Sequence, residues 1–98
     1  KWGGFTECSK LIKNIVQNKI TYCPHYLGGG IGLVASAHLL SASDDKGILE
    51  VDINDNPLRS DIVGDILEKN SGFATLSDIP GLGFEPNLKA ISKYLVAH

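Results

Sequence analysis

The chain contains no methionine, one tryptophan and two cysteines among its 98 residues. Two cysteines cannot make the disulfide framework that staples small secreted domains. Cys8 falls on the apolar face of a helical pattern and Cys23 within a strand-like run, so both read as reduced, buried thiols. That usage suits a cytoplasmic setting. A surplus of one charge is also missing. Lys and Arg number 9 against 11 Asp and Glu, a net charge of −2, so there is no basic stripe of the kind that binds nucleic acid. No apolar run approaches the roughly 20 residues needed to cross a bilayer. The best candidate, Ile31 to Ala42, is interrupted by Gly32, Ser36, His38 and Ser41. No signal-peptide pattern is visible. The opening Lys1-Trp2-Gly3-Gly4, without an initiator methionine, is what a cut through a longer chain would leave.

What remains is the composition of a folded domain, 43% hydrophobic and 20% charged. Cys8, Leu11, Ile12, Ile15 and Val16 follow helical spacing, with Thr6 placed to cap them. Ile20-Thr21-Tyr22-Cys23 is β-branched and aromatic and is stopped by Pro24. Gly28-Gly29-Gly30 makes a loop, and Gly32 to Ala42 a second helix, apolar almost all round and so expected to be deeply packed. Ile48 to Ile53 reads as a strand. Helix, strand, helix, strand argues for α/β architecture with parallel strands. The order then changes. Asn54-Asp55-Asn56-Pro57 is a turn, and residues 58–72 read as mostly irregular, with a helical turn near Ile66-Leu67. Phe73 to Leu76 is a weak strand, Pro80 to Phe84 cannot be regular, and Pro86 sits near the start of a last helix carrying Leu88, Ile91, Tyr94 and Leu95. Two parallel strands bury too little alone, since such strands want neighbours on both edges and helices over their faces. The sequence therefore reads as a slice of a larger sheet or barrel.

Three features carry potential chemistry. His25 opens the loop after one strand and Glu50 lies in the next. A neutral histidine can act as a general base, and a carboxyl group can donate to a developing enolate oxygen. Each also has a plain reading, as a solvated loop histidine and a surface strand charge. The third feature is Gly30-Ile31-Gly32-Leu33-Val34-Ala35, which matches the G-x-G-x-x-A dinucleotide fingerprint, with Glu50 placed to hold a ribose. Against it, Pro24, His25 and Tyr26 separate the strand from the glycines, and a helix and a strand precede what should be a first strand. His38, among Ala37, Leu39 and Leu40, reads as a hydrogen-bonded core histidine, and His98 is terminal. Asp52, Asp55, Asp61 and Asp65 lack calcium-loop spacing and read as caps and turn formers.

Lys1-Trp2-Gly3-Gly4-Phe5-Thr6-Glu7, Pro24-His25 with its glycines, Ala37-His38-Leu39-Leu40, Leu49-Glu50 and Ile79-Pro80-Gly81-Leu82-Gly83-Phe84 occur in that order. In this register the chain resembles the C-terminal stretch of mandelate racemase-type acid-sugar dehydratases of the enolase superfamily. The resemblance implies the C-terminal part of a (β/α)8 barrel over residues 1–53, from the end of strand six through strand seven (20–25) to strand eight (48–53). Residues 54–98 would be a tail and final helix packing towards a capping domain. It implies His25 as the general base of a His–Asp dyad and Glu50 as the electrophile that hydrogen-bonds the substrate carboxylate. It further implies Mg2+ held by ligands outside this chain, a dyad Asp just before Lys1, the remainder of the same enzyme as partner, a homo-oligomer, and a small acid-sugar substrate. On that footing the chain is a piece of a dehydratase (or racemase) and is inactive alone. The alternatives are a dinucleotide-binding fragment using residues 30–35 and a non-catalytic fragment that binds a partner through strand edges.

Overall fold

The computed structural model describes residues 3–43, 47–64, 69–70 and 72–96. Lys1, Trp2, Asp44, Asp45, Asp65, the turn expected at Ile66-Leu67, and His98 lie outside them. Helix α1 spans Gly4–Gln17, α2 Gly30–Ser41, α3 Pro57–Val63 and α4 Leu88–Ile91, the last running into a 3-10 turn at Ser92–Tyr94. Strands β1 (Lys69–Asn70) and β2 (Phe73–Ala74) pair antiparallel, Lys69 opposite Ala74 and Asn70 opposite Phe73.

Helix α1 starts two residues before Thr6, because Gly3 and Gly4 turn the chain with φ of 112° and 65°. Positive φ is open to glycine at little cost. The helix ends in a Schellman arrangement in which the Lys19 amide donates to the Val16 carbonyl at 3.0 Å and the Ile20 amide to that of Ile15 at 3.0 Å. Lys19 itself holds the left-handed position, with φ 56°. Of the expected apolar stripe, Ile12 is buried, Cys8 and Ile15 are half-buried, and Leu11 and Val16 face solvent. The core gathers on α2, through Leu33, Val34 and Ala37, with Val34 fully enclosed. The rest of α2 is only partly covered, and Ile31 is exposed, so the deep packing expected all round this helix is met on one face.

The two expected strands, 20–25 and 48–53, are extended but form no strand hydrogen bonding. A parallel ladder is stable inside a covered sheet, and among the described residues no further strand flanks these segments. The expected order of helix, strand, helix, strand is thus present as helices and extended segments, not as a sheet. Cys23 is exposed rather than buried, since it lies on the open side of its segment.

Helix α3 occupies a stretch expected to be irregular. Asn56 precedes it and Pro57 opens it, where a missing N–H costs nothing. It sits on the start of α2 at very short range. A Cβ on Gly30 would lie 2.5 Å from the Arg59 carbonyl oxygen and 2.6 Å from a Val63 methyl, and one on Gly29 would lie 3.2 Å from the Leu58 carbonyl oxygen. The far side of α3 meets the C-terminal helix. The Asn87 amide donates to the Ile62 carbonyl at 3.0 Å, and Asp61 pairs with Lys93 at 2.9 Å and accepts from the Tyr94 hydroxyl at 3.3 Å. The Pro80–Phe84 tract is tied down twice, by a Ser77 hydroxyl donating to the Gly83 carbonyl at 2.9 Å and by His38 Nε2 meeting the Leu82 carbonyl at 3.1 Å. His38 is therefore the hydrogen-bonded, part-buried histidine that was expected.

Gly30→Ala should destabilise the protein by about 1–3 kcal/mol through overpacking against α3, although alanine is the better helix former. Urea unfolding followed by circular dichroism measures it, and an unchanged midpoint would show that α3 is free to back away. The Lys93 hydrogen bond, ahead of its charge, holds the Asp61 carboxyl below the ordinary carboxylate range. Its native value is thus lower than its unfolded one. The stabilisation is fully present above about pH 4 and is lost as the pH falls through the depressed native value. Asp61→Asn should remove this part of the acid slope of stability, and a variant with the wild-type slope would refute the assignment.

Candidate functional site

Segments 20–27 and 47–53 run side by side in step. A Cβ on Gly47 would collide with the Tyr22 carbonyl oxygen, and three residues further along each segment the His25 and Glu50 side chains meet. The same offset at both points makes the two segments parallel. Burial alternates with the period of two expected of extended chain. Pro24 is buried and Tyr22 half-buried, while Cys23 and His25 are exposed; Leu49 and Val51 are half-buried, while Ile48 and Glu50 are exposed. One side faces the helices, and His25 and Glu50 share the other.

His25 Nδ1 lies 2.7 Å from Glu50 Oε2. Both side chains keep considerable access to solvent, 63% for the imidazole and 44% for the carboxylate. With the proton on Nδ1, the ring donates to the carboxylate and leaves the Nε2 lone pair free. With the proton on the carboxyl, Glu50 is the donor. The sequence proposed separate roles for these two residues, and the structure joins them directly.

The surroundings fix the two segments. Burial pushes the Tyr22 phenol above its ordinary pKa, with the neighbouring Cys8 adding to it, so Tyr22 stays neutral beneath the His25 segment. Beyond Glu50, Asp52 Oδ1 accepts from the Asn54 amide at 3.0 Å and from its side chain at 2.7 Å, closing an Asx turn. These bonds, the backbone one foremost, together with the Arg59 charge, hold the Asp52 carboxyl below the usual carboxylate range. Asp52 is thus the turn former expected from its sequence context, and Asp61 is half of an ion pair.

The glycine fingerprint serves packing instead of phosphate. Gly29 and Gly30 admit α3 against the start of α2, and a Cβ on Gly28 or Gly32 would strike the Tyr26 ring. The helix start that a pyrophosphate would occupy is therefore covered, and the dinucleotide reading falls. A cleft of about 1010 Å3 opens elsewhere, between the second half of α2, residues 47–51 and residues 72–78, and neither His25 nor Glu50 lines it. Its histidine, His38, is engaged with the Leu82 carbonyl, so the paired side chains define the candidate site better than the hollow does. Among the described residues, no three His, Cys, Asp or Glu side chains gather as they would to hold a metal ion. Nor, among them, is any helix long and apolar enough to cross a membrane.

Residues 1–90 match the model of the enolase C-terminal domain-like family, and the chain belongs to that family. It is 29% identical over 100 residues to a D-galactarolactone cycloisomerase of Agrobacterium fabrum, covering 94% of this chain and 26% of that protein. It is 32% identical over 82 residues to an arabinonate dehydratase of Saccharolobus solfataricus, covering 84% of this chain and 22% of that protein. The chain thus spans about a quarter of the length of these relatives. No solved structure matches it.

Residues that sequence reasoning passed over are Arg59, Asn56 and Tyr26. Asn56 and Pro57 did carry a signal, as an N-cap residue followed by proline, which marks a helix start. Nitrogen NMR of the histidine rings should show His25 protonated at Nδ1. Glu50→Gln should shift the His25 tautomer balance and leave His38 unmoved. A His25 signal indifferent to that change would rule out the pair in solution.

Proposed function

We propose that this chain contributes His25 and Glu50 to an active site that removes the proton alpha to the carboxylate of a sugar acid, in an acid-sugar dehydratase or a racemase. The observation that carries the reading is the 2.7 Å contact between His25 Nδ1 and Glu50 Oε2, made on the open side of two in-step segments. Family membership and the two relatives, one named for a galactarolactone and one for arabinonate, supply the substrate class.

The chemistry follows from the two side chains. As the alpha C–H bond breaks, the proton goes to His25 Nε2 and the electron pair moves into the carboxylate, giving an enediolate. Removing that proton adds a second negative charge to the substrate, so a base alone is insufficient. The imidazolium that forms needs an ionised carboxylate against it, which is the duty of the dyad Asp. A neutral Glu50 carboxyl is the form able to donate to an enediolate oxygen. We assign Glu50 two successive states: as a carboxylate it accepts from His25 Nδ1 before substrate arrives, and, taking up a solvent proton as the anionic substrate binds, it turns to donate to the substrate carboxylate and leaves Nδ1 to the dyad Asp. In a dehydratase, the β-hydroxyl then departs as water, taking the proton from an acid such as the His25 imidazolium.

Residues 1–53 fit the last strands of a (β/α)8 barrel, in which reactive groups stand at the C-terminal ends of strands. The tail from Asn54 onward packs outside it. The side of the segments that carries His25 also exposes Ile48 at 68%, and Ile53 beyond stands in solvent at 97%. We take the remainder of the same enzyme as what covers them, and as the source of the dyad Asp, the magnesium ligands and the groups that choose the sugar acid. In the intact enzyme, His25→Asn should abolish exchange of the substrate's alpha proton with deuterated solvent while magnesium binding persists. Exchange at the wild-type rate would remove His25 from the role of base.

A further inference from the structure

We propose that Arg59 is a positioning residue that keeps Glu50 against His25; this rests on the reading of that pair as the reactive centre. Glu50 is on an extended segment with no strand hydrogen bonds. Something else must fix where its carboxylate points. Two residues on, the chain enters the Asx turn at Asp52–Asn54, and Arg59 holds this turn from α3. Its Nη2 donates to the Asn54 carbonyl, and its Nη1 lies 3.8 Å from Asp52 Oδ2. The guanidinium and the Asp52 carboxylate are largely buried, at 17% and 14% exposure, so screening by water is limited. Nη1 itself makes no hydrogen bond, and Asp52 is the charge it faces. A planar guanidinium bonded to a carbonyl through one arm, with its charge facing a carboxylate, fixes direction as well as distance, which a lysine could not reproduce.

The same residue is anchored on the His25 side. The Arg59 carbonyl is the atom against which Gly30 packs, and Asn56, just before α3, donates from its side chain to the Gly28 carbonyl at 3.3 Å. One short helix therefore grips the chain three residues after His25 by its start and, through its arginine, four residues after Glu50, with its charge facing Asp52 between. The separation of the two reacting side chains is set through α3. Arg59 touches neither His25 nor Glu50 in this arrangement, so its effect is indirect.

The test uses the intact enzyme and reads two quantities. The first is the nitrogen NMR signature of the His25 Nδ1–Glu50 hydrogen bond, with His38 as internal control. The second is alpha-proton exchange with substrate, resolved into kcat and KM. Arg59→Ala should lose the His25 signature while His38 is unchanged, and kcat should fall on the order of 10²-fold, as expected for misplacing a reacting group by about an ångström. KM should change far less. If Arg59→Ala does not fold, Asp52→Asn carries the test, because its amide oxygen still closes the turn while the charge facing Arg59 is gone. It should weaken the same signature. A wild-type signature in whichever variant folds overturns the positioning role, whatever the activity. Loss of the signature with kcat unchanged upholds the positioning role and overturns proton abstraction by His25 instead.

Discussion

Helix α3 rests on the first turn of α2 at a distance that only glycine allows. At Gly30 the neighbouring atoms are a carbonyl oxygen and a valine methyl, both nearer than a real Cβ would tolerate. Carbonyl oxygens cannot rotate out of the way as a flexible side chain can, so the approach is a fixed property of the backbone. Everything that places the candidate site depends on it. Helix α3 has seven residues, too few to hold itself together in water. It persists because it is held between α2 on one side and the C-terminal helix on the other, with Asp61, Lys93 and Tyr94 closing the second contact.

That dependence explains how two extended segments keep register without a sheet. Ordinarily a parallel pair is aligned by its ladder and by the strands beyond it. Here the alignment comes from the ends. Tyr22 and Gly47 are in contact where the segments begin, and α3 ties together the loops into which they run. Between those points the alternation of burial survives, with Pro24, Leu49 and Val51 turned inward and His25 and Glu50 outward. A sheet completed around the segments would preserve this sidedness.

The helices were legible because their signals are local. Apolar spacing marked α1 and α2, and Pro86 marked the last helix to within two residues. His38 was legible as a part-buried, bonded histidine from the apolar residues on either side. His25 and Glu50 were identified by order and resemblance, but their contact was not, since nothing in a sequence measures the gap between residues 25 apart. Helix α3 escaped notice because its residues, Leu58 to Val63, mix charge and apolarity without a clear stripe; its stability is tertiary. The strands are the opposite case. β-branched residues at 20–23 and 48–53 favour extended chain, and extended chain formed, but a ladder needs partners that propensity cannot supply. Cys23 is exposed for the same reason, because a residue in a central strand is buried on both faces and a residue on an open segment is not.

The glycine run shows how far a motif's meaning rests on what stands above it. Its spacing fits a phosphate cradle and fits equally a helix start packed by another helix and a tyrosine ring, and Tyr26 with α3 decides between them. The same reasoning applies to His25 and Glu50. At their exposure, an ion pair contributes at most about 1 kcal/mol to stability, and often nothing measurable. Folding therefore gains little from keeping them together. The better-buried contacts, at Gly30, Arg59 and Tyr22, lie around the pair and fix the segments on which it stands. A weak contact held by stronger ones serves geometry, and the geometry here is a histidine with one nitrogen committed and the other free.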